Sequence, residues 1–456
     1  MKFYGREKYL ESLNSRHTEE GFNLFIVYGR RRVGKTELIK EFIQDKESIY
    51  HLFSQDTSKL QKERLVERVA SKSGERPPKT SDWRDAVEYI GEKLNEQKIV
   101  LALDEFPHAI KQDESITSHF QYLVDEIISE DSESMLILSG STISVMENQV
   151  LGYESPLYGR RTGQIDLKPF DFTQSLEVID YSLEQAVKSY TVTGGTPLYL
   201  TAFNYSKTLG ENIKNEVLDL TSTLFEEPEF LLRQELRDPS RYMSILESIS
   251  QGHTTSSEIS GKTGIKSTTL TNYLKKLQTL RLIEKQKPVT ASRKSKKTIY
   301  KIKDNYIKFW FQNIAPRKSD IEEDSEKALK DIQKDLKHQV AETFEQISRE
   351  LIKKQTDYTK TGCWWDKENE IDIVALNEKE KRILFGECKW TKEKVGTKLL
   401  KDLEDKSEKV RWLNKESREE EYALFSKNGF SEGLEDEAED RSDLQIYRLE
   451  DISDAL

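Results

Sequence analysis

Short apolar runs alternate with amphipathic helical spacing through the first third of the chain. Leu24 to Tyr28 and Ile99 to Leu103 read as buried strands, and Ser48 to Phe53, Met135 to Leu138 and Ile165 to Leu167 read as further strands. Between them, Leu10 and Leu13 mark a short N-terminal helix, a polar helix runs to about Ser73, and Trp83, Val87, Ile90 and Leu94 share one face of a helix over 82–95. Strands separated by helices predict an α/β domain built on a parallel sheet.

The pattern then changes. Three helices, over 242–249, 256–262 and 267–279, the last opened by Ser267 as N-cap, precede two strands, 282–285 and 298–302. That is helix-turn-helix spacing followed by a wing. Residues 317–334 are charge-rich with poor apolar spacing, which suits a connecting segment. From His338 a helix carries Val340, Phe344, Ile347 and Leu351 on one face, and two strands, 370–376 and 382–390, flank the polar turn Asn377 to Lys381. Strands at 422–425 and 444–449 complete a second α/β pattern, and the acidic run Glu432 to Asp440 reads as a solvated loop or helix.

Composition adds limits. A chain of 456 residues is too long for one core. No apolar run reaches the ~18 residues a membrane span needs. The N-terminus lacks an apolar signal core, so a cytoplasmic protein is expected. Cys363 and Cys388 sit in strand-like surroundings and read as buried thiols. The net charge of −11 argues against wholesale coating by nucleic acid, but between Lys262 and Lys303 thirteen Lys and Arg stand against one acid, Glu284. The wing tip Arg293, Lys294, Lys296 and Lys297 can neutralise phosphates, and the short polar side chains of the third helix can enter a major groove.

Chemistry concentrates where the first strand ends. In Gly29-Arg30-Arg31-Arg32-Val33-Gly34-Lys35-Thr36, followed by Glu37, the glycines permit backbone N–H groups to converge on phosphate oxygens. Lys35 reaches the β- and γ-phosphates, and the Thr36 hydroxyl ligates Mg²⁺. The run Ile99 to Leu103 delivers Asp104 and Glu105 at a strand's C-terminal end, where open α/β sheets bind ligands. Asp104 can hold Mg²⁺ through water and Glu105 can orient the attacking water. Ser141, after the next strand, can sense the γ-phosphate between them. Arg160 can contact the γ-phosphate, in cis or from a neighbour in a homo-oligomer, or can form a structural salt bridge.

Together YGRRRVGKTELI, LALDEF, LILSGS and PLYGR resemble the archaeal-type ATPases of the STAND branch of AAA+ P-loop proteins. Thr193-Gly194-Gly195-Thr196-Pro197 is similar to the Gly-x-Pro motif of that group's helical lid, and Gly5-Arg6-Glu7 matches its adenine-side motif. The resemblance implies ATP binding and hydrolysis with Mg²⁺. Where many relatives place Asn at the sensing position, this chain has Ser141. The expected organisation is a core over 1–175, a helical lid over 176–238, a winged helix over 239–316, a linker over 317–335 and a C-terminal domain over 336–456.

In that last domain, a hairpin centred between Lys379 and Glu380 would set Asp372 opposite Glu387, with Lys389 on the same face. Opposed carboxylates have Cβ atoms ~4.5–5.5 Å apart, near enough to share one hard cation. Asp…Glu-x-Lys resembles the PD-(D/E)xK nuclease family, whose members often carry an extra acid at the place of Glu345. That resemblance makes Asp372 and Glu387 Mg²⁺ ligands, gives Lys389 a charge-stabilising role, and implies a restriction-endonuclease-like fold acting on DNA. The alternative is an ATP-dependent switch with an inactive C-terminal module.

Overall fold

The computed structural model describes residues 3–292, 294–414 and 417–455. They fall into two compact units, Met1–Pro169 with Thr196–Leu198, and Phe170–Gly195 with Tyr199–Leu456.

The first unit is a five-stranded parallel sheet in the order β2-β3-β4-β1-β5, with β1 Asn23–Tyr28, β2 Ser48–Leu52, β3 Val100–Asp104, β4 Met135–Gly140 and β5 Gly163–Asp166. All residues of β1, β3 and β4 are buried, so each strand must be apolar on both faces. The helices α1 Glu7–Thr18, α2 Lys35–Ile43, α3 Ser58–Lys72, α4 Trp83–Glu96 and α5 Phe106–Gln112 belong to this unit. One apolar cluster joins Leu24, Ile26, Leu101 and Leu136 to Leu65, Trp83, Val87 and Ile90 of α3 and α4. The other joins Phe25, Val27, Val100 and Ile137 to Leu13, Leu38 and Phe42 of α1 and α2. Asp82 accepts the Asp85 N–H at 3.1 Å and caps α4.

The second unit begins with helices, including α6 Leu183–Thr193. At its end the Phe170 N–H donates to the Gly195 carbonyl at 2.7 Å. Then come α7 Pro239–Ser250, α8 Ser256–Thr263 and α9 Ser267–Thr279, and the antiparallel pair β6 Ile283–Gln286 and β7 Ile299–Ile302. The N-cap of α9 is Lys266, without a side-chain bond, and not Ser267. Ser267 is instead the first helical residue, and its hydroxyl donates to Ser260 Oγ at 3.3 Å. Arg293 of the expected basic tip lies outside the described residues.

The segment expected as a linker is helical. Lys318–Glu323 is one helix, and α10, Ser325–Gln355, runs through the boundary expected at residue 336. Ala328, Ile332 and Leu336 are buried along it before Val340 and Phe344, so an apolar stripe spaced by four residues underlies the charges. Beyond α10 a mixed sheet has the order β12-β11-β10-β9-β8, with β8 Lys360–Trp365, β9 Glu370–Asn377, β10 Arg382–Lys389, β11 Glu419–Ser426 and β12 Leu444–Arg448. The strands β8 to β10 are antiparallel and β10 to β12 parallel. The helix α11 Thr397–Ser407 buries Leu400 and Leu403 in this domain's core.

A side chain has no room at Gly195, where a Cβ would stand 1.7 Å from the Phe170 carbonyl oxygen. Gly195→Ala should therefore destabilise the fold by ~3 kcal/mol, the upper end for overpacking. Denaturant unfolding checks this, and a midpoint equal to that of the parent would refute the close approach.

Candidate functional site

The phosphate loop is defined by backbone constraints. A Cβ on Gly29 would lie 2.2 Å from the Leu167 carbonyl oxygen, so this position admits no side chain. Gly34 caps α2 at φ 92°, in the left-handed region, and here conformation requires glycine. The loop is braced from two sides. Arg6 donates from Nη2 to the carbonyls of Val33 at 3.1 Å and Lys168 at 2.6 Å. Arg30 donates from Nη2 to Thr196 Oγ1 at 2.9 Å. Lys35 is 5% exposed, and its Nζ donates to the Gly29 and Arg30 carbonyls at 3.0 and 3.2 Å. Val33 is buried, Arg31 and Arg32 are half-buried, and Glu37 is exposed in the first turn of α2.

Because β4 pairs with both β1 and β3, the ends of these three strands lie side by side. Thr36 Oγ1 donates to Asp104 Oδ2 at 2.6 Å, and the Tyr50 hydroxyl donates to the same oxygen at 2.9 Å. Burial, and then the Asp104 charge, push the Tyr50 phenol up, so it stays a donor. Glu105 has φ 53°, left-handed for a residue with a Cβ, a conformation that costs energy and is held by its surroundings. Ser141 supplies that hold, donating to Glu105 Oε2 from its hydroxyl at 2.8 Å and its N–H at 3.3 Å. Hydroxyl and carboxylate oxygens beside the N-terminus of α2 suit a nucleotide phosphate with a hard cation. Arg160 instead forms a bidentate pair with Asp125, at 2.7 and 2.6 Å, and donates to the carbonyls of Pro156 and Tyr158.

The second cluster lies in the C-terminal sheet. The β9–β10 ladder runs from Arg382↔Asn377 to Gly386↔Ile373, and the next step of that register sets Asp372 beside Glu387. Asp372 Oδ2 accepts the Cys388 N–H at 2.9 Å, and Arg349 of α10 donates to the Asp372 carbonyl at 2.9 Å. Lys389 and Lys406 donate to Glu387 Oε1 at 3.1 and 3.0 Å. The other oxygen of Glu387 is buried without a hydrogen-bond partner among the described residues. That orphaned atom beside a second carboxylate fits a divalent cation. Among the described residues, no three His, Cys, Asp or Glu side chains close into a metal cluster. Glu345 is nevertheless felt at Asp372, whose carboxyl is pushed up to about 7 by burial and then by the charges of Glu345 and Glu387. Cys363 and Cys388 are free and buried.

Sequence reading missed Tyr50, Lys406 and the bracing role of Arg6. Tyr50 reaches Asp104 only because β2 pairs with β3, and Lys406 reaches Glu387 from a helix in the segment after β10. Neither pairing has a local signal.

A family described as an ATPase domain predominantly from Archaea matches residues 3–203, and one described as archaea bacterial proteins of unknown function matches residues 310–403. The uncharacterized protein MJECL04 of Methanocaldococcus jannaschii is 33% identical over 99% of this chain and 100% of its own length. The chain belongs to this archaeal P-loop ATPase family. The uncharacterized ATP-binding protein MJ0423 of the same organism is 51% identical over 46 residues, 10% of this ATPase and 78% of that protein. Among solved structures, a Walker-type ATPase of Pyrococcus abyssi aligns with TM-score 0.51 at 20% identity, over 68% of this ATPase and 96% of that chain. That likeness concerns the fold. No helix among the described residues is long and apolar enough to cross a membrane.

The raised Asp372 carboxyl predicts a pH dependence. Its value of about 7 in the fold compares with about 4 in an unfolded chain. Between the two the folded state holds the extra proton, so in EDTA this contribution to stability is lost as pH rises from about 4 to about 7. Asp372→Asn should flatten that slope and raise Tm at higher pH by roughly 2–4 °C. Thermal unfolding across pH is the check, and a variant less stable than the parent in alkaline buffer would make the carboxylate structural.

Proposed function

We propose that this protein is an ATP-hydrolysing enzyme of the AAA+/STAND type that couples nucleotide state to DNA binding and cutting by its second unit. The convergence of Lys35, Thr36, Asp104 and Glu105 at the ends of β1 and β3 carries the ATPase reading. Lys35 leaves its loop carbonyls for the β- and γ-phosphates, and the loop N–H groups meet the phosphate oxygens. Thr36 and Asp104 would hold Mg²⁺, which would supply positive charge against the phosphates. Glu105, aimed by Ser141, orients the water whose oxygen bonds the γ-phosphorus as the bond to the β-phosphate oxygen breaks. Arg160 contacts the γ-phosphate only after its pair with Asp125 opens.

The helices α7 to α9 with the hairpin β6–β7 form a winged helix whose tip, Lys294, Lys296 and Lys297 with Arg293, meets DNA phosphates. The C-terminal domain is restriction-endonuclease-like, with Asp372 and Glu387 as ligands of Mg²⁺ or Mn²⁺ and Lys389 facing the scissile phosphate. The orphaned oxygen of Glu387 supports this reading. The alternative, an ATP-driven switch with an inactive module, draws on the commitment of Arg160 to Asp125, a resting arrangement that nucleotide would have to break.

Lys35→Ala should abolish tight ATP binding, whereas Glu105→Gln should bind ATP and turn it over about 10²-fold or more slowly. Nucleotide titration and phosphate release separate the two effects. Parent-rate hydrolysis by Glu105→Gln would remove Glu105 from the mechanism.

DNA cleavage with Mn²⁺ or Mg²⁺, with and without ATP, tests the second site. Asp372→Ala and Lys389→Ala should each lose cleavage while retaining phosphate release. A parent protein that binds Mn²⁺ and DNA without cutting would favour the switch.

A further inference from the structure

The hairpin β6–β7 does not stand clear of the C-terminal sheet. Along β8 the pairing steps from Gly362↔Val374 to Trp364↔Ile371, a bulge whose extra residue lies in β9, where Asp372 and Ile373 stand against one residue of the edge strand, Cys363. Its carbonyl accepts the N–H of Val289, in the connection between β6 and β7, at 3.0 Å. The Val289 side chain, half-buried, packs against the apolar core of the C-terminal sheet, and a Cβ on Gly362 would stand 3.4 Å from its Cβ. Cys363 Sγ donates to Gln286 Oε1 at 3.9 Å. A backbone bond, a side chain packed against the core and a thiol contact thus fasten the hairpin to the sheet that holds Asp372 and Glu387.

Cations follow the same line. At the far end of the hairpin Lys297 acts on Asp366, in the turn after β8, adding to the stronger hold of the Glu368 and Asn369 amides. On β7, Lys301 is half-buried opposite Glu284 in the hairpin register. Arg349, Lys301 and Lys308 are the positive charges acting on Glu345, a neighbour of the Asp372 carboxylate. Lys308 is already paired with Glu342. Lys297 and Lys301 thus place two hairpin cations along the C-terminal sheet, among the acids Asp366, Glu284 and Glu370.

We infer that the hairpin and the C-terminal acid pair grip one DNA duplex together, with Lys301 as the phosphate contact that bridges them. The fastening at Cys363 fixes the spacing between the tip lysines and the acid pair, so both engage one duplex in one register. This extends the reading of the hairpin as a DNA contact and rests on it.

The test uses the full chain in an Asp372→Asn background, so that no strand is cut, and measures affinity for a mixed-sequence duplex over a salt series. Each lost phosphate contact lowers the slope of log affinity against log salt by about one unit. Lys301→Ser should lower it by about one, Lys294→Ser with Lys296→Ser and Lys297→Ser by up to about three, and the combination by the sum. Lys301→Arg should restore the parent slope, since charge and not packing is the requirement. If Lys301→Ser keeps the parent slope while the tip variant loses it, the hairpin holds DNA alone and the bridge is overturned. Absence of duplex binding by the parent at every salt concentration would overturn the bridge and the DNA reading beneath it.

Discussion

One carboxylate oxygen, Oδ2 of Asp104, receives both the Thr36 hydroxyl at 2.6 Å and the Tyr50 hydroxyl at 2.9 Å, and the first unit is arranged to let it. Thr36 follows β1, Tyr50 lies in β2 and Asp104 ends β3. They meet because β4 pairs with both β1 and β3 while β2 pairs with β3 on its other side. All the pairings are parallel, so every strand delivers its C-terminal end to the same edge, where loops are free to hold chemistry. The apolar sequence of β1, β3 and β4 is the requirement of a sheet buried on both faces.

That edge carries strain. Gly34 and Arg32 are left-handed at φ 92° and 71°, and Glu105 at φ 53°. For Arg32 and Glu105 the conformation costs energy, because each bears a Cβ. The surrounding bonds hold it: Arg6 on the Val33 carbonyl, Arg30 on Thr196, and Ser141 on Glu105. The loop and Glu105 are thus fixed by bonds to three side chains outside the turn, those of Arg6, Thr196 and Ser141.

The C-terminal sheet meets a different constraint. Two carboxylates, Asp372 and Glu387, are brought together in a poorly solvated place, and the fold answers with Lys389 and Lys406 on one oxygen of Glu387 and the Cys388 amide on Asp372. The second oxygen of Glu387 is left unsatisfied. Burying an unpaired acceptor beside a second acid costs stability that a packed apolar pair would not. The edge strand of that sheet is covered in a similarly local way, its Cys363 carbonyl accepting the Val289 N–H.

Much of this was legible in the residues. Near-continuous apolar runs marked β1, β3 and β4 of the first sheet, Gly29 to Thr36 the phosphate loop, and the turn Asn377 to Lys381 the hairpin register that leads to Asp372 and Glu387, since in each case the signal is local in the chain. Charge hid the continuity of α10, because Ala328, Ile332 and Leu336 lie four residues apart among lysines and acids. The strand β8 escaped notice because Lys360 to Trp365 has no apolar and polar alternation. The commitment of Arg160 to Asp125, the donation of Tyr50 to Asp104, the second lysine on Glu387 and the seating of Val289 on Cys363 had no local signal. Each joins residues brought together by packing between segments far apart in the chain, so sequence determined which groups were present and where each element began, whereas only the tertiary structure decided which of them meet.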